Sequence, residues 1–334
     1  MVQYRAPLKE CGIGLEYEPL LPDEYVRALS DERSARWGML AAAYARRLRR
    51  LFSLGSYDAV WVQCDLLPYL PGVLEVLPLG RRSRIVYDCD DAVYHTYDRH
   101  RLPLVRVFLG RKLEPLLRRA RAATCGNDYL RAYVGQFCAG SEIIPTVVDT
   151  VSYRARNWSL TSTPAAIGWI GSPSTWAYVK PLVPLLRDLT SRRSATFRAI
   201  GVGAQSRDVA EFEFVDWTLE TEVREIQRLD IGIMPLTDDP WSRGKCGYKL
   251  IQYMACGLPV VASPVGVNAK IVRHGENGFL AKTPDEWVSA LNTLIADPAL
   301  CQRMGQAGRA LVEREYSLLS QVPRVADILR RAAA

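Results

Sequence analysis

The sequence predicts an α/β protein built from two doubly wound domains that face a cleft. Three observations carry that expectation. Short apolar runs alternate with longer stretches at helical spacing, the pattern of a parallel sheet with crossover helices. The alternation starts afresh after a polar, proline-bearing stretch near residue 154. Finally, 334 residues are too many for one ordinary core and suit two domains of roughly 150 residues each.

The first domain is expected over 1–152. Residues 58–63 (DAVWVQ), 84–89 (RIVYDC), 121–125 (RAATC) and 141–145 (SEIIP) read as its strands, and 34–53 and 101–120 as helices. Its opening, MVQYRAPLKECGIGLEYEPL, reads as a helix, a stop at Gly12 and then a strand. A doubly wound domain would instead begin with a buried strand and a phosphate-facing loop, so the domain reads as truncated at its N-terminus. Pro145 and the polar stretch 154–164 (RARNWSLTSTP) form the linker. The second domain follows over 163–315, with strands at 166–171, 196–202, 212–215, 230–234 and 258–262. Its helices are expected at 177–190, 220–228, 246–256, 284–296 and 299–315. Residues 316–334 read as a last helix that packs back on the first domain. In such sheets ligands sit outside the carboxyl ends of the strands.

Composition removes several function classes. Hydrophobic residues make up 49% and charged residues 24%, which is ordinary for a soluble protein. No stretch approaches the roughly 18 apolar residues of a membrane span, and no apolar signal core opens the chain, so a cytoplasmic protein is expected. The eight cysteines are scattered singly without a CxxC pair, and there are only three histidines, so no metal site is expected. A net charge of +7 and a pI of about 9.0 favour anionic partners without choosing among nucleotides, lipid head groups and nucleic acid.

The chemistry concentrates in 235–268, PLTDDPWSRGKCGYKLIQYMACGLPVVASPVGVN. A loop bearing Gly244 and Gly247 leads from a strand into a helix, and Arg243, Lys245 and Lys249 surround that helix start. Lys245 and Lys249 are four apart and share a face. Cations oppose the dipole at a helix N-terminus unless an anion sits there, so a diphosphate site explains the cluster better than a solvated basic loop. A second loop, 263–268 with Val265, Gly266 and Val267, ends the next strand and lines the same pocket in this reading. Gly171 and Ser172, in the loop after strand 166–171, offer further amides and a hydroxyl, although Ser and Thr there also serve as helix caps. In the first domain, YDCDDAVYH (87–95) sets Asp88, Asp90 and Asp91 at a strand end, with His95 four residues beyond Asp91. Three carboxylates so close suit a metal, a base or a sugar-orienting role, or serve as turn and cap residues.

Residues 99–131 carry Arg99, Arg101, Arg106, Arg111, Lys112, Arg118, Arg119, Arg121 and Arg131 against Glu114 and Asp128, interleaved with leucines at helical spacing. Such a stretch either lies on an anionic membrane surface or packs as a surface helix with a buried apolar stripe. The stacking aromatics of a nucleic-acid surface are lacking, and no nucleic acid is expected as partner.

QYMACGLPVVASPVGV (252–267), followed by GENGFL (275–280), resembles the helix–strand–loop signature of glycosyltransferase family 4, a group of retaining enzymes with the two-domain, Rossmann-like GT-B fold. DIGIMPL (230–236), IGWIGSPST (167–175), YDCDDA (87–92), GNDYL (126–130) and IPTVVDT (144–150) fit the same pattern. The resemblance implies a nucleoside diphosphate sugar bound on the second domain as co-substrate, with no separate cofactor. It also implies a glycan or lipid-linked acceptor on the first domain, retention of anomeric configuration and no obligatory metal. By position, Lys249 lies in the phosphate-binding helix, Gln252 stands for the second Glu of the family's E-x7-E motif, a ribose ligand, and Gly244 for the first. Aspartates stand at 88–91 where many relatives place a cleft histidine, and no Arg or Lys stands at 172–176. The implied function is sugar transfer, with Lys249, Asp90 and Asp91 as catalytic candidates. A nucleotide-sugar epimerase on the same fold and an inactive binding or scaffold protein are the alternatives.

Overall fold

The computed structural model describes residues 2–22, 25, 37–80, 83–159, 163–203, 207 and 209–334. Parts of two expected segments, 34–36 of the first long helix and 160–162 of the linker, lie outside them. The chain divides into two compact units, Met1–Ile144 with Val322–Ala334, and Pro145–Gln321.

Unit 1 is a four-stranded parallel sheet in the order β1-β2-β3-β4, with β1 Val60–Gln63, β2 Ile85–Cys89, β3 Ala122–Cys125 and β4 Ser141–Ile143. Among the described residues its helices are α1 Arg5–Glu10, α2 Trp37–Leu51, α3 Val73–Val76, α4 His95–Asp98, α5 Pro103–Leu109, α6 Glu114–Arg119 and α7 Asp128–Val134. β2 and β3 are almost wholly buried, and for that reason they read as mostly apolar runs, interrupted by Asp88 and Thr124, rather than as alternations.

Two expectations for this unit are corrected. The segment after Gly12 is not a strand. Its backbone is held by side chains of α2 instead, Arg47 donating to the Glu18 carbonyl (2.8 Å) and Arg46 to that of Leu20 (3.2 Å). In the alternation of Ile13–Glu18, Ile13 and Leu15 are partly buried while Tyr17 is exposed, and no pairing with β1 accompanies it among the described residues. The expected helix 101–120 is two helices broken at Gly110. A Cβ there would lie 2.3 Å from the Arg106 carbonyl oxygen, so the chain turns where only glycine fits. The leucine stripe runs through the break because both helices bury it, through Leu109, Leu113, Leu116 and Leu117.

Among the described residues, unit 2 has six parallel strands in the order β10-β9-β8-β5-β6-β7. They are β5 Ala165–Ile170, β6 Ala195–Ile200, β7 Glu213–Val215, β8 Ile231–Met234, β9 Val260–Ala262 and β10 Gly278–Leu280, the last not among the expected strands. Alternate residues face opposite sides. Ile167, Trp169, Ile231, Ile233 and Val261 enter one core with Trp176, Phe197 and Phe212, whereas Ile170, Met234, Val260 and Ala262 enter another with Leu250, Ile251, Tyr253 and Met254. The helices are α8 Val183–Ser191, α9 Glu222–Gln227, α10 Pro240–Arg243, α11 Tyr248–Ala255, α12 Asn268–Ile271, α13 Pro284–Ala296 and α14 Pro298–Leu311. α13 opens on a capping box between Thr283 and Glu286. α11 presses directly on the sheet, since a Cβ at Gly232 would fall 2.4 Å from the Tyr253 ring. Tyr253 Oη then accepts from the Ile170 amide at 2.9 Å. That contact fixes the helix bearing Lys249 against β5.

The last helix, α15 Leu318–Ala333, carries the chain out of unit 2 and into unit 1. There Arg324 donates to the Ile143 carbonyl (2.8 Å), Arg331 pairs with Glu142 (2.5 Å) and Arg121 donates to the Ala332 carbonyl (3.0 Å). All eight cysteines are free thiols, six of them buried.

Candidate functional site

The strand order of unit 2 reverses between β5 and β8. From β5 the chain winds outward through β6 and β7, then returns to the other side for β8, β9 and β10. Crossovers leave a crevice at such a point, outside the carboxyl ends of the two strands. The loops that border it are 171–175 after β5 and 235–247 after β8, and the 263–268 loop follows β9 beside them. Leu236 N donates to Ser263 Oγ at 3.0 Å, tying the second loop to the third.

Each donor candidate read from the sequence in unit 2 lies on one of these loops or on α11. Gly247 is the residue before α11 and has φ +70°, where a side chain would be strained. A Cβ there would also meet Ile271 Cδ1 at 2.4 Å and Val267 Cγ1 at 3.2 Å. The amides of Tyr248, Lys249 and Leu250 open the helix without intrahelical partners. Gly171 lies against Lys249, a Cβ at that position falling 2.8 Å from Lys249 Cε. Gly266 lies against Arg243 in the same way, 2.8 Å from its carbonyl oxygen. Val265 is buried beneath, Ser172 is exposed, and its Oγ is 3.0 Å from Ser174 Oγ.

The cations differ in how they are held. Lys249 is partly buried, with its Nζ 5.2 Å from the centroid of the Trp169 ring, and it makes no ion pair or hydrogen bond among the described residues. Burial, with the Lys245 charge adding, pulls its pKa down to about 8. Lys245 Nζ sits 5.8 Å from the ring centres of both Tyr178 and Trp241. Arg243, by contrast, is paired with Asp238 (Nε to Oδ1 2.7 Å), which takes up part of the charge expected for a phosphate. Gly244 ends the short helix α10, an element that sequence spacing did not reveal, and offers no side chain to a sugar. Asp239 caps α10 by accepting from Ser242 N at 2.8 Å.

Gln252 is only 3% exposed, and its Nε2 donates to Tyr153 Oη at 2.9 Å. Tyr153 Oη in turn donates to Glu222 Oε1, and Trp217 Nε1 donates to Glu222 Oε2 at 2.6 Å. Position 252, expected to face a ribose, is thus engaged in a buried network whose carboxylate comes from α9. Burial first, with the Glu222 hydrogen bond contributing, holds the Tyr153 phenol well above its usual range. Trp217 remains 49% exposed at the crevice, its Cβ 3.1 Å from where a Cβ on Gly201 would lie. Sequence reasoning missed Tyr153, Trp217 and Glu222. The one available signal was a tryptophan two residues beyond a strand.

Unit 1 holds the expected aspartates at the end of β2, and their side chains diverge. Asp88 Oδ1 accepts from Thr124 Oγ1 at 2.5 Å, Asp90 accepts from Gln63 Nε2, and Asp91 accepts from the Ala92 amide at 2.9 Å as a turn cap. Burial, then the Asp90 charge, raises Asp88 to about 7, and burial also raises Asp90. Among the described residues, no three His, Cys, Asp or Glu side chains converge as a metal-holding group. His95 is buried, its Nδ1 2.8 Å from Asp98 and its Nε2 3.0 Å from Tyr129 Oη, so it is a structural link rather than an open site residue. A cavity of about 590 Å³ runs along β1, lined by the 12–20 segment, α2, Trp61 and Gln63.

Comparison with known proteins agrees with this geometry. Residues 166–297 match the family model described as glycosyl transferases group 1. The putative teichuronic acid biosynthesis glycosyltransferase TuaH of Bacillus subtilis (strain 168) is 25% identical over 268 residues, covering 67% of this chain and 66% of its own. Alpha-maltose-1-phosphate synthase of Mycobacterium tuberculosis is 34% identical over 96 residues, 26% of this chain and 25% of the relative. The chain thus spans just under two thirds of the first relative's length and a quarter of the second's. Among solved structures, Anabaena HepE in complex with UDP and glucose superposes with a TM-score of 0.68 at 16% identity, over 88% of this chain and 83% of its own. With its signature segments standing around the crevice at β5 and β8, unit 2 is similar over residues 166–297 to the glycosyl transferases group 1, and the chain shares the two-domain α/β fold of the solved structure it superposes on.

Proposed function

We propose that the protein transfers a sugar from a nucleoside diphosphate sugar to a glycan or lipid-linked acceptor, with retention of configuration and without a metal. One observation carries the reading. Lys249, at the first turn of a helix that starts at the switch point, lacks an anionic partner among the described residues. A half-sequestered ammonium beside unpaired helix amides is stabilised by a bound phosphate. The leaving group of sugar transfer is a nucleoside diphosphate, so the reaction needs charge stabilised where the glycosidic oxygen departs. Preorganised amides with Lys249 and Lys245 supply that kind of help. In this reading Trp217 and Glu222 flank the nucleoside. Asp90, raised by burial and steadied by Gln63, orients the acceptor hydroxyl on unit 1, where the cavity along β1 offers it room.

Calorimetric titration with UDP, GDP and ADP, followed by assays of nucleotide release from the matching sugar donor, tests the proposal. At least one diphosphate should bind. Lys249→Ala should weaken it by about 1.5–3 kcal/mol, the range for hydrogen bonds to charged groups, with turnover falling in parallel. Binding of none of the three, or a Lys249→Ala variant with normal turnover, overturns it. Turnover of donor only in the presence of acceptor separates transfer from epimerisation.

A further inference from the structure

On the surface of unit 1, α5 presents apolar side chains on both of its faces. Leu109 is buried and Val105 partly so, which accounts for the inward face. Leu104, Val107 and Phe108, spaced by three and four, share the other face and are 70%, 77% and 74% exposed. Leu102, just before the helix, is exposed as well, and Tyr69 reaches the same end, its ring 6.4 Å from that of His100. A surface helix of a protein that meets only water carries polar residues there. Single exposed leucines are ordinary, but a contiguous apolar face marks something that covers it.

The charge around this face states what kind of partner fits. Residues 99–119 hold six arginines against one acid, Glu114. Glu114 is held by Arg111 (2.6 Å) and Arg118 (3.8 Å). Arg99 and Arg101 are exposed at the start of α5 and make no ion pair among the described residues. The bias extends to the whole unit. Unit 1 carries 24 Lys and Arg against 18 Asp and Glu, whereas unit 2 carries 19 against 18. Lys112, grouped by sequence with these surface cations, belongs elsewhere. It is buried and paired with Glu75 at 2.5 Å. An apolar strip rimmed by arginines is the pattern of a segment that inserts its side chains between lipids while its cations meet anionic head groups.

We infer that α5 and the residues just before it form a docking surface for an anionic membrane, with Leu104, Val107 and Phe108 entering the acyl boundary and Arg99, Arg101 and Arg111 resting on lipid phosphates. This inference stands apart from the donor reading, which concerns unit 2. No helix among the described residues is long and apolar enough to cross a membrane, so the attachment is peripheral at this surface.

Co-flotation of the full chain with vesicles of phosphatidylcholine alone, and of phosphatidylcholine mixed with an equal part of phosphatidylglycerol, tests it. Binding should be confined to the anionic vesicles and weaken as salt rises. The double variant Val107→Ser, Phe108→Ser should bind about tenfold more weakly or worse. Arg101→Gln should weaken binding about fivefold, the effect of one basic residue at a charged surface. Both variants should keep the thermal transition and the nucleotide affinity of the parent, because every altered side chain is exposed. Phe108→Trp should show blue-shifted emission with anionic vesicles only. Equal binding to both vesicle types, no binding, or binding unchanged in the serine variant overturns the inference. So does a dimer in sedimentation equilibrium that the serine variant abolishes, which would make a second copy the occupant.

Discussion

At the scale of single residues, Lys249 carries the sharpest consequence. Its pKa in the folded protein lies near 8 against 10.5 for a free lysine, chiefly because burial disfavours the ammonium. Below about pH 8 the folded protein retains the proton, and the charge is present for an incoming diphosphate. As pH rises through 8 the unliganded protein loses that proton while the unfolded chain keeps its own, so the stability of the empty protein gains from about pH 8 toward 10.5. Ligand binding responds in the opposite sense, since a bound diphosphate must restore the ammonium. The affinity for nucleoside diphosphate should therefore be level up to about pH 7.5 and fall above pH 8, whereas Lys249→Arg, which cannot deprotonate, should bind with no such fall. Calorimetric titrations between about pH 7 and pH 9.5 decide this. A parent profile as flat as that of the arginine variant would show that Lys249 does not meet the anion. The sequence displayed the three cations but not this division among them. Arg243 has a carboxylate five residues away and Lys249 has none, a distinction that depends on how the 235–247 loop folds.

At the scale of elements, the break at Gly110 turns a basic stretch into two short helices and sends Lys112 inward between them. Lys112 Nζ lies 2.5 Å from Glu75 Oε1 and 3.7 Å from Asp65, and Glu75 also accepts from the Leu67 amide at 2.8 Å. This buried group ties the loop after β1 to α3 and to the turn between α5 and α6. Removing one member leaves the other charge buried alone, which costs about 3–5 kcal/mol, whereas replacing both by apolar groups of similar shape is far less damaging. Urea denaturation of Lys112→Ala should show a loss in that range, and the pair Lys112→Met with Glu75→Leu should recover most of it. A single variant within about 1 kcal/mol of the parent would remove the network from the account of unit 1. The limits of sequence reading have the same origin. Buried parallel strands announce themselves as apolar runs, so β1 to β9 were visible with ends shifted by a residue or two. The direction of a lysine within a periodic stretch was not visible, because the leucines that supply the period are buried on both sides of a turn. Ile13–Glu18 misled in the converse way. It alternates like a strand, yet it pairs with none among the described residues, and arginines of α2 bond the carbonyls of Glu18 at its end and of Leu20 just beyond.

At the scale of the whole molecule, the groups suited to a nucleotide and the surface suited to a membrane are placed on different units. The three loops and α11 that gather Lys245, Lys249 and the amides all lie within Pro145–Gln321, whose overall charge is nearly balanced. Its attraction for a diphosphate is accordingly local, arising from one helix start and two lysines rather than from a broad field. The excess of basic residues belongs to unit 1, together with the exposed face of α5. Much of this division was legible from the signature stretches, since those at 230–280 fell together in one half of the chain. The network through Tyr153 and Glu222 was not, because it joins residues 99 and 69 positions apart that no local pattern relates. A consequence follows for ligand-induced protection. Binding stabilises by RT ln(1 + [L]/Kd), about 2.7 kcal/mol at a hundredfold excess over Kd, and the gain falls on the segments whose opening the ligand opposes. Hydrogen exchange with saturating nucleoside diphosphate should slow in peptides covering 171–175, 240–255 and 263–268, while peptides of β2, β3 and α5 keep their rates. Adding anionic vesicles instead should slow exchange around 102–109 and leave the three loops of unit 2 unchanged. Nucleotide protection centred on β2 would relocate the donor to unit 1 and remove Lys249 from the site.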